Sequence, residues 1–148
     1  MGTVADTSLR ALHQEKARLR YPLWLQRHLF FRKAKGIHGV HSPLAYQLAT
    51  TVFMNPTEAP IAARLQEQLG DIFFQNTAIA HLPAALTALA GNETGALWVP
   101  QIKGARAAWL DACADARVTL TIDCFDSGLL LRTPDVKEKQ YLRQRYRK

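Results

Sequence analysis

A few residues in this 148-residue chain have the types and spacing that metal binding or catalysis uses. His38 and His41 are three positions apart, and Cys113 and Cys124 are the only thiols that could complete a zinc site. The two cysteines lack the close-paired spacing of zinc ligands, so we expect a loop or buried polar role for the histidines. His41 precedes Ser42, but a serine nucleophile also needs a third, orienting group, which the sequence does not indicate.

Asp123 and Asp126 flank a predicted turn. Aspartate commonly stabilises local backbone geometry at such positions. We therefore expect structural roles for them rather than paired-carboxylate catalysis. No catalytic or metal-binding residue is predicted from these groups.

Positive charge is concentrated at the two ends of the chain. Residues 1–36 carry eight Lys/Arg and two Asp/Glu, residues 137–148 carry six and one, and residues 37–136 carry five and nine. The three segments therefore have net charges of +6, +5 and −4, which give the chain its +7. Such ends either attract an anionic partner, attract the acidic body, or simply keep the protein soluble.

The last twelve residues interleave cations with tyrosines, as nucleic-acid-binding surfaces do. The candidate anion-binding residues are Lys137, Lys139, Arg143, Arg145, Arg147 and Lys148. If these cations met phosphates, the affinity would fall steeply with salt, with a log-log slope of about −0.9 per contact on duplex DNA.

The composition is that of a globular protein, with 48% hydrophobic and 21% charged residues, and the length suits one domain with a real core. Two cysteines do not suggest a disulfide framework and favour a reducing cytoplasm. No signal-like apolar segment begins the chain, and no stretch approaches the roughly eighteen apolar residues of a membrane span. We expect a cytoplasmic protein with no membrane partner.

Cap and turn signals predict helices in the first 70 residues. We expect one helix capped by Ser8, an aromatic-rich second helix starting at Pro22, and a third with Ser42 as cap and Pro43 at its first position. A fourth, short helix is predicted at residues 60–69.

From residue 71 onward, predicted strands alternate with helices, which is typical of a parallel sheet with crossover connections. The predicted strands are residues 71–75, 96–99, 117–123 and 128–132, and the predicted helices are residues 83–90 and a segment through Trp109. The Asp126-Ser127-Gly128 turn should join the last two strands as an antiparallel hairpin. Periodicity leaves open whether residues 141–146 form a last strand or a helical turn.

Three segments of the chain are similar to parts of one family. Residues 35–43 (KGIHGVHSP) look like a basic, histidine-containing entry segment, residues 105–109 (ARAAW) like the helix after a fifth core strand, and residues 118–129 (VTLTIDCFDSGL) like a closing hairpin. With the basic tail, about half of the chain resembles small class I S-adenosylmethionine-dependent methyltransferases of the O-methyltransferase-like type.

The resemblance also identifies what is missing. It implies a glycine-rich loop and a ribose-binding acid for the cofactor, but residues 53–71 have room for only one short helix. Asn76 and Thr77 stand where the family has an Asp-Gly pair. Pro100 and Gln101 stand where it has paired aspartates that serve metal or substrate. The resemblance thus implies a degenerate member without the cofactor-binding half.

We expect a single α/β domain over residues 1–148, with a helical section at 1–70, an α/β section at 71–136 and a basic tail at 137–148. The resemblance implies a partial Rossmann-like methyltransferase fold. In it, N-terminal helices pack on a small mixed sheet of about four strands that ends in the antiparallel hairpin.

The favoured hypothesis for function is a non-catalytic pseudoenzyme without a cofactor, which acts by binding or assembly. Truncation leaves the strand at residues 71–75 as a sheet edge, which either the aromatic face of the second helix covers or a second copy pairs with to form a homodimer. One alternative is an active S-adenosylmethionine-dependent methyltransferase whose pocket is completed by oligomerisation. Another is a basic adaptor that binds nucleic acid or an anionic surface.

Overall fold

The computed structural model describes residues 4–34, 42–54 and 58–145, without the side chains of residues 4–6. The helices in this part of the chain are α1 (Val4–Ala17), α2 (Leu23–Lys33), α3 (Pro43–Leu48), α4 (Ile61–Leu69), α5 (Leu82–Ala90) and α6 (Arg106–Cys113). A π-helical segment, Ala49–Phe53, continues α3 directly. The strands are β1 (Phe73–Asn76), β2 (Gly95–Val99), β3 (Leu120–Asp123), β4 (Gly128–Arg132) and β5 (Gln140–Arg143).

The five strands form one mixed sheet in the order β1-β2-β4-β3-β5. β1 runs parallel to β2 and β3 parallel to β5, while β4 is antiparallel to both of its neighbours. The predicted α/β class and the β3-β4 hairpin are therefore confirmed. The prediction of about four strands ending in that hairpin is wrong, because Gln140–Arg143 adds a fifth strand beside β3.

Helices cover both faces of the sheet. One apolar cluster joins α1, α5 and α6 to side chains such as Leu97 and Leu130. The other joins α3, its π-helical extension and α4 to side chains such as Trp98 and Leu129. Neighbouring residues of one strand thus enter opposite clusters, as the twofold alternation of a strand requires.

Of the two predicted serine caps, the structure contains one. The predicted cap at Ser42 is confirmed, since its Oγ accepts a hydrogen bond from Ala45 N at 3.3 Å and Pro43 opens α3. The predicted cap at Ser8 is wrong, because α1 begins at Val4 and Ser8 lies inside it with only 6% of its surface exposed. Because the helix begins four residues earlier, Ser8 is an interior helical residue with a buried side chain and does not cap the helix.

The strand predicted at residues 71–75 is at the edge of the sheet, as β1. Helix α2 does not cover this edge. The centroid of the Phe30 ring of α2 lies 5.3 Å from that of Phe125, a residue that follows β3. Because β5 and α2 are in contact, α2 lies toward the opposite edge of the sheet from β1. The prediction that α2 covers β1 is therefore wrong.

Gly128 allows α6 to pack closely on the β3-β4 hairpin. A Cβ at this position would lie 2.2 Å from Cζ2 of Trp109, which is fully buried. We expect Gly128→Ala to lower the free energy of unfolding by about 1–3 kcal/mol, because the indole must be displaced within a packed core. Urea denaturation measures this loss.

The matched control is Gly104→Ala, where a Cβ would meet nothing within 4 Å. This variant should unfold at nearly the same urea concentration as the parent protein. Equal stability of the two variants would contradict the close approach between Gly128 and Trp109.

Candidate anion-binding surface

A buried charge cluster joins the two ends of the chain to the sheet. Arg106, the first residue of α6, donates to Asp123 Oδ1 at 2.9 Å and to Glu15 Oε1 at 3.2 Å. Oε2 of Glu15 also accepts from Arg18 at 3.0 Å and from Arg143 of β5 at 3.1 Å. Glu15, Arg106 and Asp123 are 3%, 4% and 0% exposed. We call the five residues that form these ion pairs the buried charge cluster: Glu15, Arg18, Arg106, Asp123 and Arg143.

Both carboxylate oxygens of Asp123 accept hydrogen bonds. Besides Arg106, its Oδ1 accepts from Phe125 N at 2.8 Å, and its Oδ2 accepts from the Tyr141 hydroxyl. The Phe125 bond holds the backbone in the left-handed region, with φ at 71°, which a bulky residue rarely adopts. The predicted role of Asp123 in stabilising the turn is therefore confirmed.

Burial and neighbouring charges determine the protonation states of Arg106 and of the adjacent Tyr141 hydroxyl. Burial lowers the pKa of Arg106, but the Asp123 and Glu15 carboxylates oppose this effect, and the pKa is raised overall. Burial, together with the Asp123 carboxylate, raises the pKa of Tyr141 well above its ordinary value. Arg106 therefore remains a cation and Tyr141 a neutral hydrogen-bond donor at physiological pH.

The cluster also positions α2. The Arg106 guanidinium carbon lies 4.6 Å from the centroid of the Phe125 ring and 5.4 Å from that of Phe30. The two rings are tilted toward each other at 5.3 Å, within the range of favourable aromatic pairs. Phe30 is fully buried, so this contact fixes the inward face of α2 and leaves its opposite face exposed.

The exposed face of α2 and the segment after β5 border an open groove of about 440 Å³. It is lined by Trp24, Arg27, His28, Phe31, Arg32 and Arg145. We call this feature the α2 groove. Its residues from α2 occur at intervals of three or four along the helix, so they share one face.

The α2 groove is positively charged and carries an exposed aromatic ring. α2 contains no Asp or Glu. Arg27 pairs with Asp126 but keeps 46% of its side chain exposed, and Arg145 donates to the Phe31 carbonyl oxygen at 2.6 Å. Because a guanidinium has five N–H donors, each of these arginines retains donors for a ligand. Trp24 is 71% exposed at the same surface.

The alternation of β5 explains how the basic tail reaches α2. The side chain of Tyr141 packs in the cluster of α1 and α6, whereas the neighbouring Leu142 packs on the opposite face. Odd-numbered residues of β5 therefore lie on the face of the sheet that α1 covers. Along this face Arg143 contacts Glu15, and Arg145 reaches Phe31.

The structure separates the predicted tail cations into different roles. Arg143 donates hydrogen bonds to the side chains of Glu15 and Gln14. Lys139 donates to the carbonyl oxygens of Asp115 and Val118. Burial lowers the pKa of Lys139. Neither residue lines the α2 groove.

Of the other predicted cations, Arg145 lines the groove, and Lys137 is exposed in the connection before β5. Arg147 and Lys148 lie outside the described residues. Sequence reasoning missed Arg27, His28 and Arg32 as candidates. The interleaving of cations and aromatics that identified the tail is also present in α2 and could have indicated them.

The positions that the resemblance marks as degenerate lie side by side. β1 and β2 are parallel, so Asn76-Thr77 and Pro100-Gln101 lie at adjacent strand ends. Asn76, Pro100 and Gln101 are exposed, whereas Thr77 is buried and donates its N–H to Trp98 O at 2.9 Å. These four positions offer amide, hydroxyl and proline groups but no carboxylate.

The remaining chemical groups do not assemble into a reactive centre in the described part of the chain. Cys113 and Cys124 are free and fully buried, and burial, followed by the Asp123 carboxylate, raises the pKa of both thiols. They are therefore poor nucleophiles. Within residues 4–34, 42–54 and 58–145, no group of three or more His, Cys, Asp or Glu could hold a metal ion. His38 and His41 lie outside the described residues.

Comparisons of the chain with protein-family models, curated proteins and solved structures find no match. Among the described helices, none has the length and apolar character needed to cross a bilayer.

Removal of the central cation should strongly destabilise the fold. We expect Arg106→Leu to reduce the free energy of unfolding by about 3–5 kcal/mol, because Glu15 and Asp123 would remain buried without their shared partner. Chemical denaturation followed by circular dichroism measures this quantity.

Arg117→Leu provides the control, since Arg117 also pairs with a carboxylate but at the surface, with side-chain exposures of 38% for Arg117 and 24% for Asp115. We expect little change there, because exposed ion pairs contribute little to stability. Similar small losses in both variants would refute the central role of the buried charge cluster.

Proposed function

We propose that this protein is a non-catalytic binding domain that holds an anionic partner in the α2 groove. The observation that supports this most directly is the junction of the two basic ends of the chain. Arg145, from the C-terminal segment, bonds to the Phe31 carbonyl at 2.6 Å, beside Arg27 and Arg32 of α2. Cations separated by more than a hundred residues therefore share one concave surface.

The side-chain chemistry suits phosphate or another oxyanion. Arginine presents paired N–H donors that match two oxygens of a phosphate, and it stays charged at every physiological pH. Arg27, Arg32 and Arg145 lie in the groove with His28, and Lys33 is exposed at the end of α2. Several such contacts along a polyanion give binding that weakens steeply as salt rises.

We further propose that the domain is a degenerate relative of class I S-adenosylmethionine-dependent methyltransferases. The β3-β4 hairpin and helix α6 after β2 occur where the resemblance expects them, which supports this origin. The adjacent strand ends carry Asn76, Thr77, Pro100 and Gln101 instead of carboxylates, which favours a function without cofactor. The free, buried thiols are consistent with action in a reducing cytoplasm.

The active-enzyme alternative and this proposal differ in whether the protein binds S-adenosylmethionine. A methyltransferase completed by oligomerisation must bind S-adenosylmethionine, so calorimetric titration at millimolar cofactor should give measurable heat. We expect none. A saturable heat of binding would overturn the proposal of a cofactor-free protein.

Charge reversal in the groove should weaken binding to an anionic polymer. We expect Arg32→Glu to lower the affinity for inorganic polyphosphate by roughly tenfold or more, because one attractive contact becomes repulsive. The affinity is measured by displacement of a labelled polyphosphate at several salt concentrations, and the variant should show a shallower salt dependence.

The charge-matched control is Lys103→Glu, because Lys103 is also exposed but does not line the groove. It changes the net charge by the same amount. If both reversals weaken binding equally, the effect comes from overall charge, and the α2 groove is not the site.

Assembly through β1 is a second candidate, favoured by its position at the sheet edge. β1 pairs only with β2 in the described part of the chain, and its sequence Phe73-Phe74-Gln75-Asn76 contains no charge to oppose pairing. A twofold axis would place two β1 strands antiparallel to each other. We propose a homodimer that pairs in this way.

A charge on this edge should separate the two copies. We expect the parent protein to have twice the 16.6 kDa mass of one chain and Gln75→Lys to be monomeric, as measured by light scattering after size exclusion. Ala84→Lys on the exposed surface of α5 is the control and should remain dimeric. A monomeric parent protein would exclude the homodimer.

A further inference from the structure

We infer that the partner of the α2 groove is single-stranded nucleic acid, with a base stacked on the Trp24 indole and phosphates bound by the neighbouring arginines. This inference rests on the proposed anion-binding function and names its ligand class. Such a site requires an accessible aromatic ring, cations aligned with that ring, and a surface that favours unpaired over paired bases.

The accessible ring is Trp24. It is 71% exposed, whereas Trp98 and Trp109 are 4% and 0% exposed in the core. A large apolar ring left mostly in water on a helix contributes little to the stability of the fold by burial. Beside cations, such a ring provides the stacking surface on which single-strand-binding proteins hold bases.

The cations are aligned with the ring by the helix. Arg27, His28, Phe31 and Arg32 follow Trp24 at three, four, seven and eight residues, which places them on one face. Eight residues of helix span about 12 Å, the length of a few nucleotides. A strand with its base on Trp24 can therefore run along α2 with its backbone near Arg27 and Arg32.

Arg27 and Arg145 are held in place before a ligand arrives. The Arg27 guanidinium carbon lies 4.9 Å from the centroid of the Phe31 ring, and Arg27 also pairs with Asp126. Arg145 is bonded to the Phe31 carbonyl. Ordering these side chains within the folded protein reduces the entropy lost on binding.

The shape and composition of α2 favour a single strand over a duplex or a membrane. In a duplex the base faces are already stacked, so Trp24 would have no ring to contact. A helix that lies in a membrane interface needs an apolar face along its length. The exposed residues of α2 are apolar only at Leu23 and Trp24, in its first turn, and the remainder are Arg27, His28, Arg32 and Lys33.

The test uses the whole chain and a labelled oligothymidylate of about twelve nucleotides, a length within the range of single-strand site sizes. We expect Trp24→Ala to weaken binding by roughly tenfold or more through loss of one stacked base. Trp24→Phe should retain most of the affinity. Leu23→Ala, which truncates the adjacent exposed apolar side chain, should change it little.

Tryptophan fluorescence gives an independent reading of the same contact. The oligonucleotide should quench the emission of the parent protein, since stacking brings a base against the exposed indole. In Trp24→Phe the quenching should disappear, because the two remaining tryptophans are buried. Quenching that persists in this variant would contradict a base on Trp24.

Polyphosphate separates this inference from the proposed function, because it has phosphates but no bases. If Trp24→Ala binds both polymers as the parent protein does, while Arg32→Glu weakens both, the stacking inference fails and the anion site stands. If the parent protein binds neither polymer, the proposed function itself fails. Equal affinity for a duplex of the same length, or preference for anionic phospholipid vesicles, would also overturn the choice of a single strand.

Discussion

The structure depends on the burial of Arg106 between Asp123 and Glu15. Removing three charged groups from water is costly, and the cost is offset only when every oxygen and N–H finds a partner. Here Phe125 N and the Tyr141 hydroxyl complete the shell of Asp123, and other arginines complete that of Glu15. Because the donors and acceptors lie in or directly after α1, α6, β3 and β5, one electrostatic constraint joins elements from both ends of the chain.

The same constraint creates the surface on which the proposed function lies. Arg106 contacts Phe125 and Phe30, so the inward face of α2 is fixed and its cationic face is turned to solvent. Arg143 is drawn inward to Glu15, and Arg145, two residues further on the same face of the chain, reaches the edge of α2. One basic segment thus provides both an internal structural contact and an exposed cation of the α2 groove.

Much of the fold could be predicted from local patterns. The Asp-Ser-Gly turn predicted the β3-β4 hairpin, and Ser42-Pro43 predicted the start of α3, because the chemistry of a turn or cap involves only a few neighbouring residues. Sequence patterns do not predict the fifth strand, β5. Its four residues include Gln140 and Arg143 and show no clear alternation of apolar and polar types, so only pairing with β3 defines it.

The sequence alone determined that this is an α/β protein with two basic ends, and that residues 76, 77, 100 and 101 carry no carboxylate. Only the tertiary structure decided which cations are available. Glu15 lies 91 residues from Arg106 and 128 from Arg143, and no periodicity in a sequence reports contacts over such distances. Charge is a property of composition, but its exposure depends on which distant carboxylate the fold brings beside it.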